Sequence, residues 1–301
     1  MRARILGSAA GGGFPQWNCR CSTCEAARAG TSARPRTQSS LAIRSDDGPW
    51  FVANASPDLR QQLEGLHADP ADGIRAAPMA GFFLTDAEID HTAGLLLARE
   101  SSTALQVYGS DAVRRALVEG YPVLDMLAHY CGVEWHTLEP ARPLAIAGSP
   151  LEVDSFPAGG DAPRYLGETG PPGPDVEAIG LVFRDRSSGG VLTYVPGLAE
   201  LRDDVLERLE WSDAVLVDGT FWSDDELVDL GISDRTARQM GHVPLSGAGG
   251  TLEAFAKLKR PRKILVHINN TNPILLEDSP EREAVLRAGA EVAHDGLELE
   301  L

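Results

Sequence analysis

The 301-residue chain contains no run of about 18 apolar residues, the length a helix needs to cross a bilayer. Its opening stretch, MRARILGSAAGGG, also lacks the apolar segment of a secretory signal. These absences predict a cytoplasmic protein with no membrane insertion. Basic residues are scarce: 27 Lys and Arg stand against 44 Asp and Glu, for a formal net charge of -17. A field of that sign repels phosphate, which argues against a nucleic-acid or anionic-membrane partner unless a local basic pocket overrides it. Cysteine is scarce too, and three of the four cysteines fall within six positions. That spacing suits disulfides poorly, and without an export signal metal binding is the better reading.

With 43% hydrophobic residues, a sizeable core can form. Short apolar runs at 3–6, 41–43, 50–52, 82–84, 191–192, 215–217 and 264–266 end in Gly or polar residues, as buried strands do. Helices alternate with them. Ser56-Pro57 predicts a start leading through Leu59, Leu63 and Leu66. Residues 199–211 carry Leu201, Val205, Leu206 and Leu209 on one stripe, and Ser279-Pro280 opens a helix expected to turn Val285 and Leu286 inward. The pattern predicts one α/β domain over 1–301, with two sheets face to face and helices outside. The Gly- and Pro-rich stretch 159–175 reads as a long loop near a site or as a solvated surface loop.

Four motifs carry chemistry. In Cys19-Arg20-Cys21-Ser22-Thr23-Cys24, three thiolates can face one tetrahedral ion from a single tight loop, a zinc knuckle over about 19–24. The fourth ligand could be Cys131, although its place near a helix end suits a buried structural cysteine. His242, between Gly241 and Val243-Pro244 in a turn, is the better candidate. A closed site of three Cys and one His holds structural zinc; reduced surface cysteines are the bland alternative. The second motif, Asp86-Ala87-Glu88-Ile89-Asp90-His91, places four potential ligands where an apolar run meets a helical Leu95-Leu96-Leu97, and an acidic helix start explains it equally well. The third is Asp218, closing the run 215–217 before Gly219-Thr220, and the fourth is His267, closing 264–266 before an Asn-rich loop. Sites in layered α/β folds gather at the carboxyl ends of strands, which joins the last three motifs.

These residues resemble the metallo-β-lactamase superfamily, whose hallmark is His-x-His-x-Asp-His after a strand, followed by a His, an Asp and a last His. Asp90, His91, Asp218 and His267 match it. Asp86 and Glu88 replace the first two imidazoles, and none is found in 156–161, where the intermediate His is expected. Leu6-Gly7-Ser8, Gly11-Gly12-Gly13 and the cysteine cluster resemble the zinc-knuckle branch that includes a phosphodiesterase of phosphonate metabolism. In that branch a Gly-His turn completes the zinc, which favours His242. Ala87-Glu88-Ile89-Asp90-His91-Thr92, Asp218-Gly219-Thr220-Phe221-Trp222, Arg238-Gln239-Met240-Gly241-His242-Val243-Pro244 and Val266-His267-Ile268-Asn269-Asn270-Thr271-Asn272-Pro273 are similar to a family of pyrroloquinoline quinone (PQQ) biosynthesis proteins, over essentially the whole chain.

The resemblance implies an αββα sandwich of two similar halves and a role in making PQQ from a cross-linked Glu–Tyr precursor, a small-molecule partner. Two proposals attach to the family: an iron-dependent hydroxylase acting on the tyrosine ring, and a carrier of PQQ or its precursor toward the periplasm. A retained metal-dependent hydrolase is a third reading, disfavoured by the missing imidazoles. Two imidazoles and a carboxylate with open positions resemble the ligand set of non-haem iron oxygenases. The expectation is therefore Fe(II), with Zn, Mn or Mg able to take its place, on Asp90, His91 and His267. Asp218 is expected as a fourth or outer carboxylate, and Asp86 and Glu88 to bind water, orient His91 or act as a base. Other proteins of the pathway are candidate partners, and a homodimer stays open. Arg164-Tyr165 could meet a carboxylated substrate; His67, His129, His136 and His294 read as structural or surface residues.

Overall fold

The computed structural model describes residues 1–66, 76–167 and 178–301. His67 and positions 168–175 of the Gly- and Pro-rich stretch lie outside the described residues. Short apolar rows, most of them carrying β-branched or aromatic residues, form the strands β1 (Arg2–Gly7), β2 (Ser40–Arg44), β3 (Trp50–Ala53), β4 (Met79–Phe83), β5 (Leu105–Gly109), β6 (Val133–Thr137), β7 (Leu144–Ala145), β8 (Leu151–Pro157), β9 (Ile179–Asp185), β10 (Val191–Val195), β11 (Ala214–Asp218), β12 (Arg262–Val266), β13 (Ala290–Val292) and β14 (Glu298–Glu300). Among the described residues they make two seven-stranded sheets, in the orders β14-β1-β2-β3-β4-β5-β6 and β7-β8-β9-β10-β11-β12-β13. Read in those orders, each sheet has three antiparallel contacts followed by three parallel ones. The two halves thus repeat one plan, and together they form the αββα sandwich.

Strand alternation sorts the apolar residues into layers. Leu216 of β11 enters the core between the sheets, whereas Val215 and Val217 face the helices outside. Asp218, two residues beyond Leu216, emerges at the end of that inner row. In β4, Phe83 turns inward and Phe82 outward. The fully buried Phe83 ring lies 4.7 Å from that of Tyr108 in its own sheet and 5.1 Å from that of Phe183 in the other, so one side chain ties the layers together.

The helices depart from the sequence reading at their ends. The first helix after β3 begins only at Leu59–Glu64, because Ser56 spends its hydroxyl oxygen on the Asp58 N–H in a preceding turn. The stretch 199–211 shortens to Asp203–Glu210. Ser279 does cap Pro280–Arg287, accepting from the Arg282 N–H at 3.0 Å. Val285 is buried there, but Leu286 is 58% exposed, contrary to expectation. Neighbouring positions lie about 100° apart around a helix, so the narrow inward stripe takes one and not the other.

The turn holding Asp90 and His91 (Ile89–Thr92) runs directly into the 3-10 segment Ala93–Glu100. It is gripped by the end of β3: the Ala55 N–H donates to the His91 carbonyl and the Gly94 N–H to the Ala55 carbonyl. A methyl group on Gly94 would stand 2.2 Å from the Ser56 carbonyl oxygen. Gly94→Ala is therefore expected to destabilise the fold by about 1–3 kcal/mol, read from urea denaturation.

Candidate metal centre

The parallel strands of both sheets end along one edge. There β4 leads into 84–92, β11 into 218–222, and β12 into His267. The N-terminal segment fastens the two sides, since Ala9 bridges both Gln38 and Ile268. Gly11 lies over Asp90; a side chain there would begin 3.2 Å from the carboxylate Cγ and Oδ2.

The first sheet's contribution starts from Asn54, whose φ of +65° turns it toward Thr85. Asn54 Oδ1 accepts from the Thr85 N–H at 3.0 Å, and the Thr85 hydroxyl donates to Asp86 Oδ2 at 2.8 Å. The Glu88 N–H donates to Asp86 Oδ1 at 3.0 Å. Held from both sides, Asp86 receives His91 Nδ1 at 2.8 Å from each oxygen. His91 Nε2 is buried with no hydrogen-bond partner among the described residues, 3.7 Å from Asp90 Oδ2. A buried polar atom left so costs about 1–3 kcal/mol and calls for a ligand to explain it.

The second sheet supplies the facing side. Asp218 accepts from the Leu198 N–H and His242 Nδ1 on one oxygen, and from the Thr220 N–H and hydroxyl on the other. Thr220 Oγ1 also lies 2.8 Å from His267 Nδ1. Its single proton goes to Asp218 at 2.6 Å, so toward the ring it can only accept. Thr220 thus holds the His267 ring by accepting from Nδ1–H, and a neutral ring so held presents its lone pair on Nε2, which lies 3.4 Å from Asp90 Oδ2. The rings of His91 and His242 stand 5.1 and 5.6 Å from that of His267. All three imidazoles thus commit Nδ1 to a carboxylate or hydroxyl, which in the neutral ring leaves the lone pair on Nε2. Such outer partners orient the imidazoles of metal sites.

The electrostatics suit a cation. Burial disfavours charge on Asp86 and Asp90, but the neighbouring His91 outweighs it and holds both carboxyls below their usual range. Burial likewise works against the His91 imidazolium, yet Asp86 and Asp90 raise it to about 9. Asp218 raises His242 against the same burial. Partial burial and the two aspartates lift Glu88, at the exposed rim, to about 7. In the metal-free protein His91 is consequently protonated at neutral pH, and an incoming ion must displace that proton. Affinity at this centre is expected to rise with pH, up to about tenfold per unit below pH 9, and to weaken in acid. Calorimetric titration in buffers of different ionisation enthalpy should register the released proton near pH 7.

The structure brings together Asp90, His91 and His267, whose donor atoms lie within 4.8 Å of one another. Asp86 stands behind His91 and not among the facing atoms. Asp218 has both oxygens taken by hydrogen bonds, which suits an orienting role better than ligation. His242 corrects the sequence reading. It is not with Cys19, Cys21 and Cys24, which cluster separately; it groups with Asp218 and His267. The reason is tertiary: the Val243 N–H donates to the Leu198 carbonyl, laying the turn across the end of β11. Gly241 packs on Gly160, with a built Cβ only 3.2 Å from its Cα. His242 therefore stands beside the segment 156–161, from which the resemblance expected an imidazole. Asn54, Thr85 and Thr220 have no site role in the sequence reading; the short Asp218-Gly219-Thr220 spacing was the one available signal, since a hydroxyl two residues on can return to the carboxylate. The Tyr165 hydroxyl donates to the Ala87 carbonyl at 2.7 Å, bringing part of the predicted loop against the ligand turn.

A two-sheet sandwich with imidazoles and carboxylates at the seam is the architecture of metallo-β-lactamase-type proteins, and residues 49–268 match the beta-lactamase superfamily domain. The chain is 47% identical over 305 residues to the coenzyme PQQ synthesis protein B of Methylococcus capsulatus, covering 100% of both chains. The crystal structure of Zn(2+)-bound PqqB from Methylobacterium extorquens superposes with a TM-score of 0.91 at 38% identity, again over 100% of both. A diphosphatase from the PhnP family shares the fold, with a TM-score of 0.70 at 21% identity over 100% of this chain and 98% of that one. The chain belongs to the coenzyme PQQ synthesis protein B family of the beta-lactamase superfamily.

Proposed function

We propose that the chain acts in PQQ biosynthesis as a metal-dependent hydroxylase, adding oxygen to the tyrosine ring of a Glu–Tyr-derived precursor. Family membership over the full length supports the pathway. The observation that carries the chemistry is the donor set of Asp90 Oδ2 with the Nε2 atoms of His91 and His267, each ring tied back at Nδ1. Two imidazoles and one carboxylate suit a non-haem ferrous ion with open positions. Ferrous iron would supply dioxygen activation when bound; Zn, Mn and Mg could also occupy these donors. The full complement of hydrogen bonds on Asp218 speaks against its use as the bridging ligand of a two-zinc hydrolase.

The chain's own residues do the rest. Asp86 fixes the His91 ring and Thr220 the His267 ring, so the facing nitrogens are set before substrate arrives. His242, its Nδ1 on Asp218, keeps Nε2 for proton transfer and can take the phenol proton there. Glu88 and Arg164 border the ligand turn and offer the precursor's polar groups a charged rim. In balance, a ring C–H becomes C–OH with one atom of dioxygen. The other atom leaves as water, using two electrons from an external organic reductant and two protons.

The test is anaerobic reconstitution with Fe(II), Mn(II) or Zn(II), followed by addition of a Glu–Tyr substrate, dioxygen and ascorbate. Iron-dependent oxygen uptake matched to a product 16 mass units heavier is expected. Turnover without oxygen consumption, or turnover by the zinc form alone, would sink the hydroxylase reading.

A further inference from the structure

Each imidazole at the centre has a side chain behind it: Asp86 behind His91, Thr220 behind His267, Asp218 behind His242. Among the described residues no side chain does this for Asp90. The ionisable groups within 4 Å of its carboxylate are His91 and His267, which face the same ion. What stands against Asp90 is Gly11. A Cβ at that position would lie 3.2 Å from Asp90 Cγ, 3.2 Å from Oδ2 and 3.6 Å from Asp90 Cβ, and these are its three nearest heavy atoms. Gly12 and Gly13 need glycine for their backbones, at φ of +90° and +68°, but Gly11 lies outside the left-handed region. Its conformation would admit a side chain; the carboxylate would not.

The loop around Gly11 is fixed on both sides of the centre. The Ile268 N–H donates to the Ser8 carbonyl at 3.0 Å and the Ala10 N–H to the Ile268 carbonyl at 2.9 Å, which stitches the loop to the residue after His267. Toward the first sheet, the Ala9 N–H donates to the Thr37 carbonyl at 2.9 Å and the Gly12 N–H to Gln38 Oε1 at 3.0 Å. Gln38 Nε2 donates to Asp58 Oδ2 at 3.0 Å, which assigns the oxygen end of that amide to Gly12.

We propose that Gly11 is a positioning residue of the metal centre: its bare backbone is the wall against which the Asp90 carboxylate rests, and the anchored loop sets Asp90 relative to His267. A methyl group there would move Oδ2 from its place 3.4 Å from His267 Nε2. The inference rests on Asp90 being a ligand and not on the hydroxylase chemistry.

The test uses the full chain and Mn(II), which carboxylate and imidazole donors accept and thiolates disfavour, with free ion read by electron paramagnetic resonance. Gly11→Ala should weaken Mn(II) binding about tenfold or more and change the spectrum of the bound ion, which a purely structural role would leave as in the wild type. In the metal-free protein Gly11→Ala should also lower the urea midpoint, and Asp90→Ala, by removing the contact, should abolish that further loss. Wild-type affinity in Gly11→Ala overturns the proposal, as does an equal loss of midpoint in both backgrounds. Wild-type affinity in Asp90→Ala would instead show that Asp90 is no ligand, and the proposal would fall with that reading. If Gly11→Ala does not fold, Gln38→Leu decides. It frees the Gly12 anchor without adding bulk beside Asp90 and should weaken Mn(II) binding about threefold; unchanged affinity overturns the proposal.

Discussion

Replacing His91 with alanine is expected to cost the protein with an empty reactive centre about 3–5 kcal/mol, the usual penalty for leaving one partner of a buried ion pair alone. Asp86 is 9% exposed and His91 3%. With the imidazolium gone, Asp86 keeps, among the described residues, only the Thr85 hydroxyl and the Glu88 N–H as donors. The pH dependence follows from the raised pKa. His91 moves from 6.5 to about 9 on folding, so its stabilisation is fully present below about pH 6.5 and is lost as pH rises through 9. The gap between wild type and His91→Ala should be widest in mild acid and narrow above pH 9. Urea denaturation at several pH values checks this, and adding Asp86→Asn should recover much of the loss. A gap that stays flat with pH would show that the pair is not charged.

Thr220→Val is expected to lower metal affinity at the reactive centre by about 10- to 100-fold, while the thiolates keep theirs. Valine matches the shape of threonine but offers neither the proton that Asp218 accepts nor the lone pair that receives His267 Nδ1–H. His267 would then be free to place its proton on either nitrogen and to rotate. Both partners are buried, so a stability loss of about 1–3 kcal/mol should accompany the change. Thr220→Ser keeps the hydroxyl and should restore most of the affinity in a chelator competition. Retention of full affinity by the valine variant would exclude Thr220 as the group that sets the tautomer.

The contrast between Thr220 and Asp218 shows what the sequence could tell. Asp218 and His267 are legible because each ends a run of buried β-branched residues, and a polar side chain in that position is conspicuous. Strand β8 was not in the reading, since Glu152 and Asp154 interrupt its apolar row. His242 was legible as a ligand type but not in its destination. Which cluster it joins depends on the direction of one turn, and that is fixed by a hydrogen bond to Leu198, 45 positions away in the chain.

The repeated strand plan of the two sheets has a consequence for assembly. Asp86, Asp90 and His91 come from one sheet, and Asp218, Thr220, His242 and His267 from the other. Neither half carries a complete coordination shell. An ion at the seam would thus be a cross-link between halves as well as a reagent, and it would strengthen their docking by mass action. Scarcity of metal would first show as breathing between the layers, with proteolytic nicks at the connection from β6 to β7, before either sheet lost its own structure.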